Sequence, residues 1–202
     1  MNPNSASSFR FGESRRRIRA GRVCLVTAGF LVLLPGSALA VDVAGPRAVV
    51  DQAVAQVLEV LGNAALERPE RTRRIEGIAY SHFDFTTMSK LVLARSWRRF
   101  SAEQQENFIV EFKHLLSRRY GTRLDRYSDE GVEVTGERPE SRGDVSVLTE
   151  VTSGGFEGAT INYRMRKRGD TWKAIDVVIE GVSLVSSYRT QFRDLLGDES
   201  PA

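Results

Sequence analysis

Three carboxylates and two histidines are the side chains of this 202-residue chain whose setting could support catalysis. Asp176 and Glu180 sit in the run IDVVIEGVS, where strand alternation puts Ile175, Val177 and Ile179 on one side and Asp176, Val178 and Glu180 on the other. Asp84 lies in HFDFTTM, just ahead of a helical pattern. A carboxylate enclosed between helices and a curved sheet can be tuned into a general base. The competing roles are structural. An Asp on the wet face of a strand pairs with a cross-strand cation, and Arg164, Arg166 and Lys173 are available. Glu180, directly before Gly181, is placed to satisfy turn amides or cap the last helix, and Asp84 to cap the third. These structural roles carry the greater weight.

The remaining signals for chemistry are weak. His114 falls on the Asn107, Glu111 and Arg118 side of its helix, opposite the apolar stripe. His82 has no second histidine at ligand spacing, so a local hydrogen bond is expected of it rather than a metal. Gly154-Gly155 lacks the following Lys and helix of a phosphate loop, and no G-x-S-x-G elbow occurs. Neither a metal nor a cofactor is expected.

The elements that must position these residues divide into a helical half and a strand half. Val50, Val54, Val57, Leu58 and Leu61 repeat at helical spacing after Gly45-Pro46, and Gly62-Asn63 closes the run. A short second helix follows Pro69, carrying Ile75, Ile78 and Ala79, and a third begins near Thr86 or Thr87. Ser101-Ala-Glu-Gln104 is a capping box opening a fourth, whose stripe is Phe108, Ile109, Phe112, Leu115 and Leu116, with Tyr120-Gly121 as its stop. From about residue 131 the period becomes two, over four strands, with Arg168-Gly169-Asp170 as a hairpin turn. A last helix spans about 183–196. The expected fold class is α+β: a helical layer on a curved four-stranded antiparallel sheet. The helical layer would bear Phe85, Met88, Leu91, Leu93, Trp97, Phe108, Phe112, Leu116 and Tyr120, and the sheet Val145, Val147, Val151, Ile161, Tyr163 and Met165. Either a solid core or an apolar cavity satisfies that pattern.

Residues 1–40 read as a cleaved signal peptide: Arg15, Arg16, Arg17, Arg19 and Arg22, then an apolar run over 23–34, Pro35-Gly36, and small residues at Ala38 and Ala40. The run is too short to span a bilayer. Residues 41–197 form the single expected domain, and 198–202 a disordered tail. The whole chain is net +3, but residues 41–202 hold 23 Lys+Arg against 25 Asp+Glu, net −2, so the basic balance gives no ground for nucleic-acid binding. The one cysteine, Cys24, belongs to the export segment, and a cysteine-free remainder suits an oxidising compartment and excludes thiol catalysis.

The segment HFDFTTMSKLVLARSWRRFSAEQQENFIVEFKHLLSRRYGTRLDRY resembles the centre of the MlaC, or toluene-tolerance, family of periplasmic lipid-binding proteins. Phe83, Asp84, Phe85, Met88, Leu91 to Leu93, Trp97, Gln104 or Gln105, Phe108, Phe112, Leu115, Leu116 and Tyr120 carry the likeness, and WKAIDVVIEGVSLVSSYRTQF resembles the family's ending. One departure is Ala94, where the family commonly has Gly, so its tighter turn is not expected here. The resemblance implies a non-catalytic periplasmic carrier that takes a phospholipid's acyl chains, or a hopanoid as in the HpnM branch, into a gap between helices and sheet. Its implied partners are an inner-membrane ABC transporter complex and an outer-membrane lipoprotein complex. The expected lining is Phe85, Met88, Leu91, Trp97, Phe108, Phe112, Leu116, Tyr120, Val147, Ile161, Tyr163, Met165 and Val178. The arginine clusters (Arg71, Arg73, Arg74; Arg98, Arg99; Arg118, Arg119, Arg123, Arg126) would meet lipid phosphates or partner proteins, or form solvated helix faces. The alternative is a small cone-shaped periplasmic enzyme using Asp84, Asp176 or Glu180 as base; a third reading is an adaptor with a solid core.

Overall fold

The computed structural model describes residues 44–124 and 131–197. The expected export segment, the tail 198–202, Arg126 and the side chain of Arg123 lie outside them. Helix α1 (Ala44–Gly62) and helix α2 (Arg68–His82) form a hairpin. The turn between them is fixed by Asn63, whose side chain accepts from the Ala65 amide at 3.0 Å. On α2, Glu70 pairs with Arg73 and Arg74 at 2.7 and 2.9 Å, so two arginines of the first basic cluster form a solvated ion-pair face.

The chain then runs alongside the sheet before turning helical again. Phe83 makes a parallel bridge to Ala174, and the Asp84 amide donates to the Ala174 carbonyl at 2.9 Å. Helix α3 (Phe85–Leu93) starts one turn-position earlier than expected, because Asp84 caps it by accepting from the Thr87 amide at 2.8 Å. A 3-10 turn over Ala94–Arg99 leads to helix α4 (Ala102–Leu124). The capping box is formed as expected: the Ser101 hydroxyl accepts from the Gln104 amide, and the Gln104 carboxamide accepts from the Ser101 amide. Helix α4 continues past Tyr120-Gly121, since Gly121 keeps a negative φ and takes no capping role.

The sheet is antiparallel with five strands in sequence order: β1 (Val132–Pro139), β2 (Val145–Val151), β3 (Ile161–Arg168), β4 (Thr171–Ile179) and β5 (Val182–Ser183). Four strands were expected. The fifth arises because Glu180 and Gly181 both adopt positive φ, 50° and 77°, and turn the chain back so that Val182 pairs with Ile179. Helix α5 (Leu184–Leu196) follows at once.

The simple alternation expected along β4 does not hold. Arg164 pairs with Asp176 and Met165 with Ala174, so Ile175 is an extra, unpaired residue, and Ile175, Asp176 and Val177 are all buried. The Asp176 side chain makes no ion pair with the arginines of β3. Its carboxylate accepts from the Ser183 hydroxyl at 2.5 Å and the Val185 amide at 3.0 Å, pinning the first turn of α5. The cross-strand arginines go to Asp144, fully buried, which accepts from Arg166 at 2.6 and 2.7 Å and lies 3.4 Å from Arg164.

Two separate cores result. In the first, Val50 of α1 packs on Val145, Val147, Met165, Trp172 and Ala174 of the sheet. In the second, α3, α4 and α5 pack on one another through Phe85, Met88, Val92, Phe112, Val185 and Tyr188. The expected apposition of the α3–α4 stripe against Val145, Val147 and Met165 is therefore replaced: α1 takes that place on the sheet, and Phe83 packs against both clusters.

The turn at residue 94 is formed without its glycine. Ala94 has φ 48° and ψ −118°, a conformation that a Cβ penalises by roughly 1–3 kcal/mol. Replacing Ala94→Gly relieves that strain against an added unfolded-state entropy of under about 1 kcal/mol. Urea unfolding should show Ala94→Gly to be more stable by about 1 kcal/mol, and an equal or lower midpoint would mean that this backbone is relaxed.

Candidate functional site: an apolar cavity under the helical hairpin

Between the α1–α2 hairpin and the sheet lies a cavity of about 220 Å³. Helix α1 lines it with Val50, Ala53, Val54, Val57, Leu58 and Leu61, spaced along one face of the helix. Helix α2 adds Ile75, Ile78, Ala79 and, in its last turn, His82. The sheet wall is Val132, Ile161, Tyr163, Met165 and Ala174, with Phe83 at the junction of α2 and α3. Register explains the sheet wall. Ile161, Tyr163 and Met165 alternate on one side of β3, and the bulge at Ile175 keeps Ala174 opposite Met165.

Of the thirteen residues expected to contact a ligand, Ile161, Tyr163 and Met165 stand on this wall. Val147 is fully buried in the sheet core beside them. The structure gathers most of the others elsewhere. Phe85, Met88 and Phe112 are buried in the second core, and Leu91, Phe108, Leu116 and Tyr120 pack against it. There the Phe112 ring stacks on Phe108 at 5.7 Å between centroids and meets Tyr188 edge-on at 5.5 Å. Trp97 lies on the 3-10 turn, with the Lys90 ammonium 5.8 Å from its ring. Val178 is half-buried, between Asn162 of β3 and Ser183 of β5. The α1 and α2 residues of the wall were read from the sequence only as helix periodicity. The signal that could have found them is their chemistry: until His82 in its last turn, the hairpin's inward face holds valine, alanine, isoleucine and leucine, and no aromatic ring.

None of the three acids lines the cavity, and each carboxylate is engaged by structural donors. Glu180 accepts from the amide and hydroxyl of Thr160, fastening the start of β3 to the β4–β5 turn. Asp84 accepts from the Thr87 hydroxyl at 2.6 Å and the Arg168 guanidinium at 2.7 Å, besides the Thr87 amide. Burial opposes the charge on Asp84, but the Thr87 and Arg168 donors outweigh it and hold the carboxyl below its usual range. His82 meets Gln56 of α1 at 3.3 Å, the local hydrogen bond expected of it. Burial, and then the Lys173 ammonium, push the imidazole's pKa down. No helix among the described residues is long and apolar enough to cross a membrane.

Residues 51–202 match the family model described as MlaC protein. The chain belongs to the MlaC family. Within that family it is 26% identical over 114 residues to the toluene tolerance protein Ttg2D of Pseudomonas putida, covering 56% of this chain and 53% of the relative. It thus spans about half the length of that curated protein. Its fold is similar, with a TM-score of 0.67, 28% identity and coverage of 74% of this chain and 86% of the other, to a phospholipid-binding protein from Ralstonia solanacearum solved in complex with a phospholipid. For this MlaC chain, the α+β architecture stands, with five strands in place of four.

The Asp84 carboxylate ties α3 to the β3–β4 hairpin, and its depressed pKa sets the pH window of that tie. Because the folded value lies below the unfolded one, the contribution is whole above about pH 4 and is lost as pH falls through the folded value. Asp84→Ala should cost about 1–3 kcal/mol at pH 7 through the lost cap and ion pair. Denaturation across pH should show a constant gap between wild type and variant above pH 4 that narrows below it. A gap independent of pH would detach the effect from ionisation.

Proposed function

We propose that this chain is a non-catalytic periplasmic lipid carrier, holding the acyl chains of a phospholipid between the α1–α2 hairpin and the sheet. The observation that supports the reading is the cavity itself, walled almost wholly by aliphatic side chains and set in a fold shared with a phospholipid-bound protein. Leaving such an apolar space without hydrocarbon forfeits the contacts its lining could make. Hydrocarbon supplies those contacts and gains about 0.8 kcal/mol per buried methylene. Two long chains bring a gross gain of more than about 15 kcal/mol, too much to leave in water. Exchanging one apolar environment for another needs no catalytic group, and the acids of this chain are occupied as staples and caps.

Chain contact is assigned to Ile161, Tyr163 and Met165, with the aliphatic faces of α1 and α2 opposite them. Phe85, Met88, Leu91, Phe108, Phe112, Leu116 and Tyr120 serve as the closed core against which the cavity is built, with Trp97, Val147 and Val178 flanking. Residues 1–40 direct export, and residues 41–197 form the working domain. In the periplasm the loaded protein passes its lipid between an outer-membrane lipoprotein complex and an inner-membrane ABC transporter complex.

Native mass spectrometry of protein purified from its own cells should show a co-purifying phospholipid. A polycyclic hydrocarbon mass would assign the chain to the hopanoid-associated branch, and an empty protein would sink the carrier reading. Ala53→Trp should fill the cavity and abolish the adduct without lowering the melting temperature. Phe112→Ala, outside the cavity, should instead cost about 3–5 kcal/mol. Retained lipid in the Ala53→Trp protein would place the ligand elsewhere.

A further inference from the structure

Helix α5 carries more apolar surface than its core covers. Val185, Tyr188 and Phe192 face the aromatic cluster, and the same stripe continues at helical spacing to Leu195 and Leu196. The core ends before the stripe does. Leu195 is 79% exposed and Leu196 40%.

Arginines crowd the same end of the molecule. The chain leaves α3 through Ala94 into the 3-10 turn, where three residues per turn set Arg95 and Arg98 on one side and Ser96 and Arg99 on the next. All three arginines are exposed. Among the described residues no carboxylate pairs with them, although Glu103 and Glu106 lie on α4 and Asp194 on α5; Asp194 takes Arg193 instead. The turn that presents them is fixed in place. The Gln105 carboxamide donates to the Trp97 and Phe100 carbonyls at 3.0 and 3.1 Å, and Arg189 of α5 donates to the Leu91 carbonyl at 2.8 Å. A groove lined by Ser96, Arg99, Phe100, Gln104 and Leu196 joins the arginines to the end of α5. The charge is local, since residues 41–202 are net −2.

A fixed cluster of unpaired guanidinium groups on a domain of opposite net sign marks the side that meets an anionic surface. The leucines decide which kind. They project from the helix end, so they suit a medium that closes around them, as a bilayer does at its headgroup boundary. A protein partner would have to supply a matching pocket. We infer that Arg95, Arg98 and Arg99, with Leu195 and Leu196, form a docking surface for an anionic phospholipid bilayer. The guanidinium groups meet lipid phosphates, and the leucines enter the acyl boundary beside them. This surface is on the outside of the protein and owes nothing to what the cavity holds, so it goes beyond the carrier reading.

Flotation with vesicles of phosphatidylcholine, alone or mixed with phosphatidylglycerol, tests the surface on protein purified from its own cells. Wild type should bind the anionic vesicles, ignore the neutral ones, and be released as salt rises. Arg95→Gln/Arg98→Gln/Arg99→Gln should weaken binding on the order of a hundred-fold, at about five-fold per charge removed. Arg95→Lys/Arg98→Lys/Arg99→Lys should keep it, because a bilayer reads charge and not the bidentate fork. Leu195→Ser/Leu196→Ser should weaken binding and leave its salt dependence. Arg73→Gln/Arg74→Gln, on the ion-paired face of α2, should bind as wild type does. Equal binding by wild type and the Gln triple variant, loss in the Lys triple variant, or an equal loss in the α2 variant overturns the surface. So does a wild type that ignores anionic vesicles. Its capture on immobilised polyglutamate would then give the arginines to an acidic protein, and a solution dimer that Leu195→Ser/Leu196→Ser dissociates would give the leucines to a second copy. Lipid in the cavity without vesicle binding overturns the surface alone, and vesicle binding by a protein that carries no lipid leaves the surface and removes only the carrier.

Discussion

Strand β4 has to serve two cores at once, and the rest of the structure follows from how it does so. Its first half contributes Trp172 and Ala174 to the sheet core under α1. Its outer edge receives the Phe83–Asp84 segment that launches α3, and then β5, which launches α5. A flat strand would turn alternate residues to water on one side. The extra residue at Ile175 breaks that alternation, so the four consecutive positions 174–177 are buried and Asp176 is delivered to the N-terminus of α5. With α3 and α5 both anchored to this strand, the aromatic core forms between them and α4.

The two cores then differ in what fills them. The α3–α4–α5 core is packed with large rings, Phe85, Phe108, Phe112, Tyr188 and Phe192, whose edge-on and stacked contacts close it. The hairpin core has only valine, leucine, isoleucine and alanine facing the sheet between Val50 and Ala79. Side chains of that length cannot bridge the gap left by a helix hairpin standing over a twisted sheet, and packing density falls locally. The space therefore opens on the side where short aliphatic side chains predominate. Rigidity on one side and reserve volume on the other is a division that suits the proposed carrier role.

The polar residues that first invited a catalytic interpretation are explained by the same arrangement. Asp176, Asp84 and Glu180 each fasten the start of an element: α5, α3 and β3. Asp144 does the same within the sheet through two arginines. In the buried Asp176 and Asp144 both carboxylate oxygens are engaged by amide, hydroxyl or guanidinium donors.

Periodicity and local chemistry determined the elements of this protein from sequence alone. The helices, the strand half, the capping box at Ser101 and the hairpin turn at Gly169 are nearest-neighbour properties, set by side-chain alternation and by which residues tolerate a given φ. The motif around Phe83 to Tyr120 likewise carried the family. Tertiary structure alone decided the rest. A two-residue strand such as β5 has no periodicity to read, and a bulge such as that at Ile175 shows only against its partner's register. Whether Phe112 or Val57 faces a void depends on which helix lies over the sheet, and an apolar stripe looks the same against a solid neighbour or an open one. Ile161, Tyr163 and Met165 were recognisable because a strand fixes its own faces, whereas the hairpin wall was not, because a helix face acquires meaning only from what is packed against it.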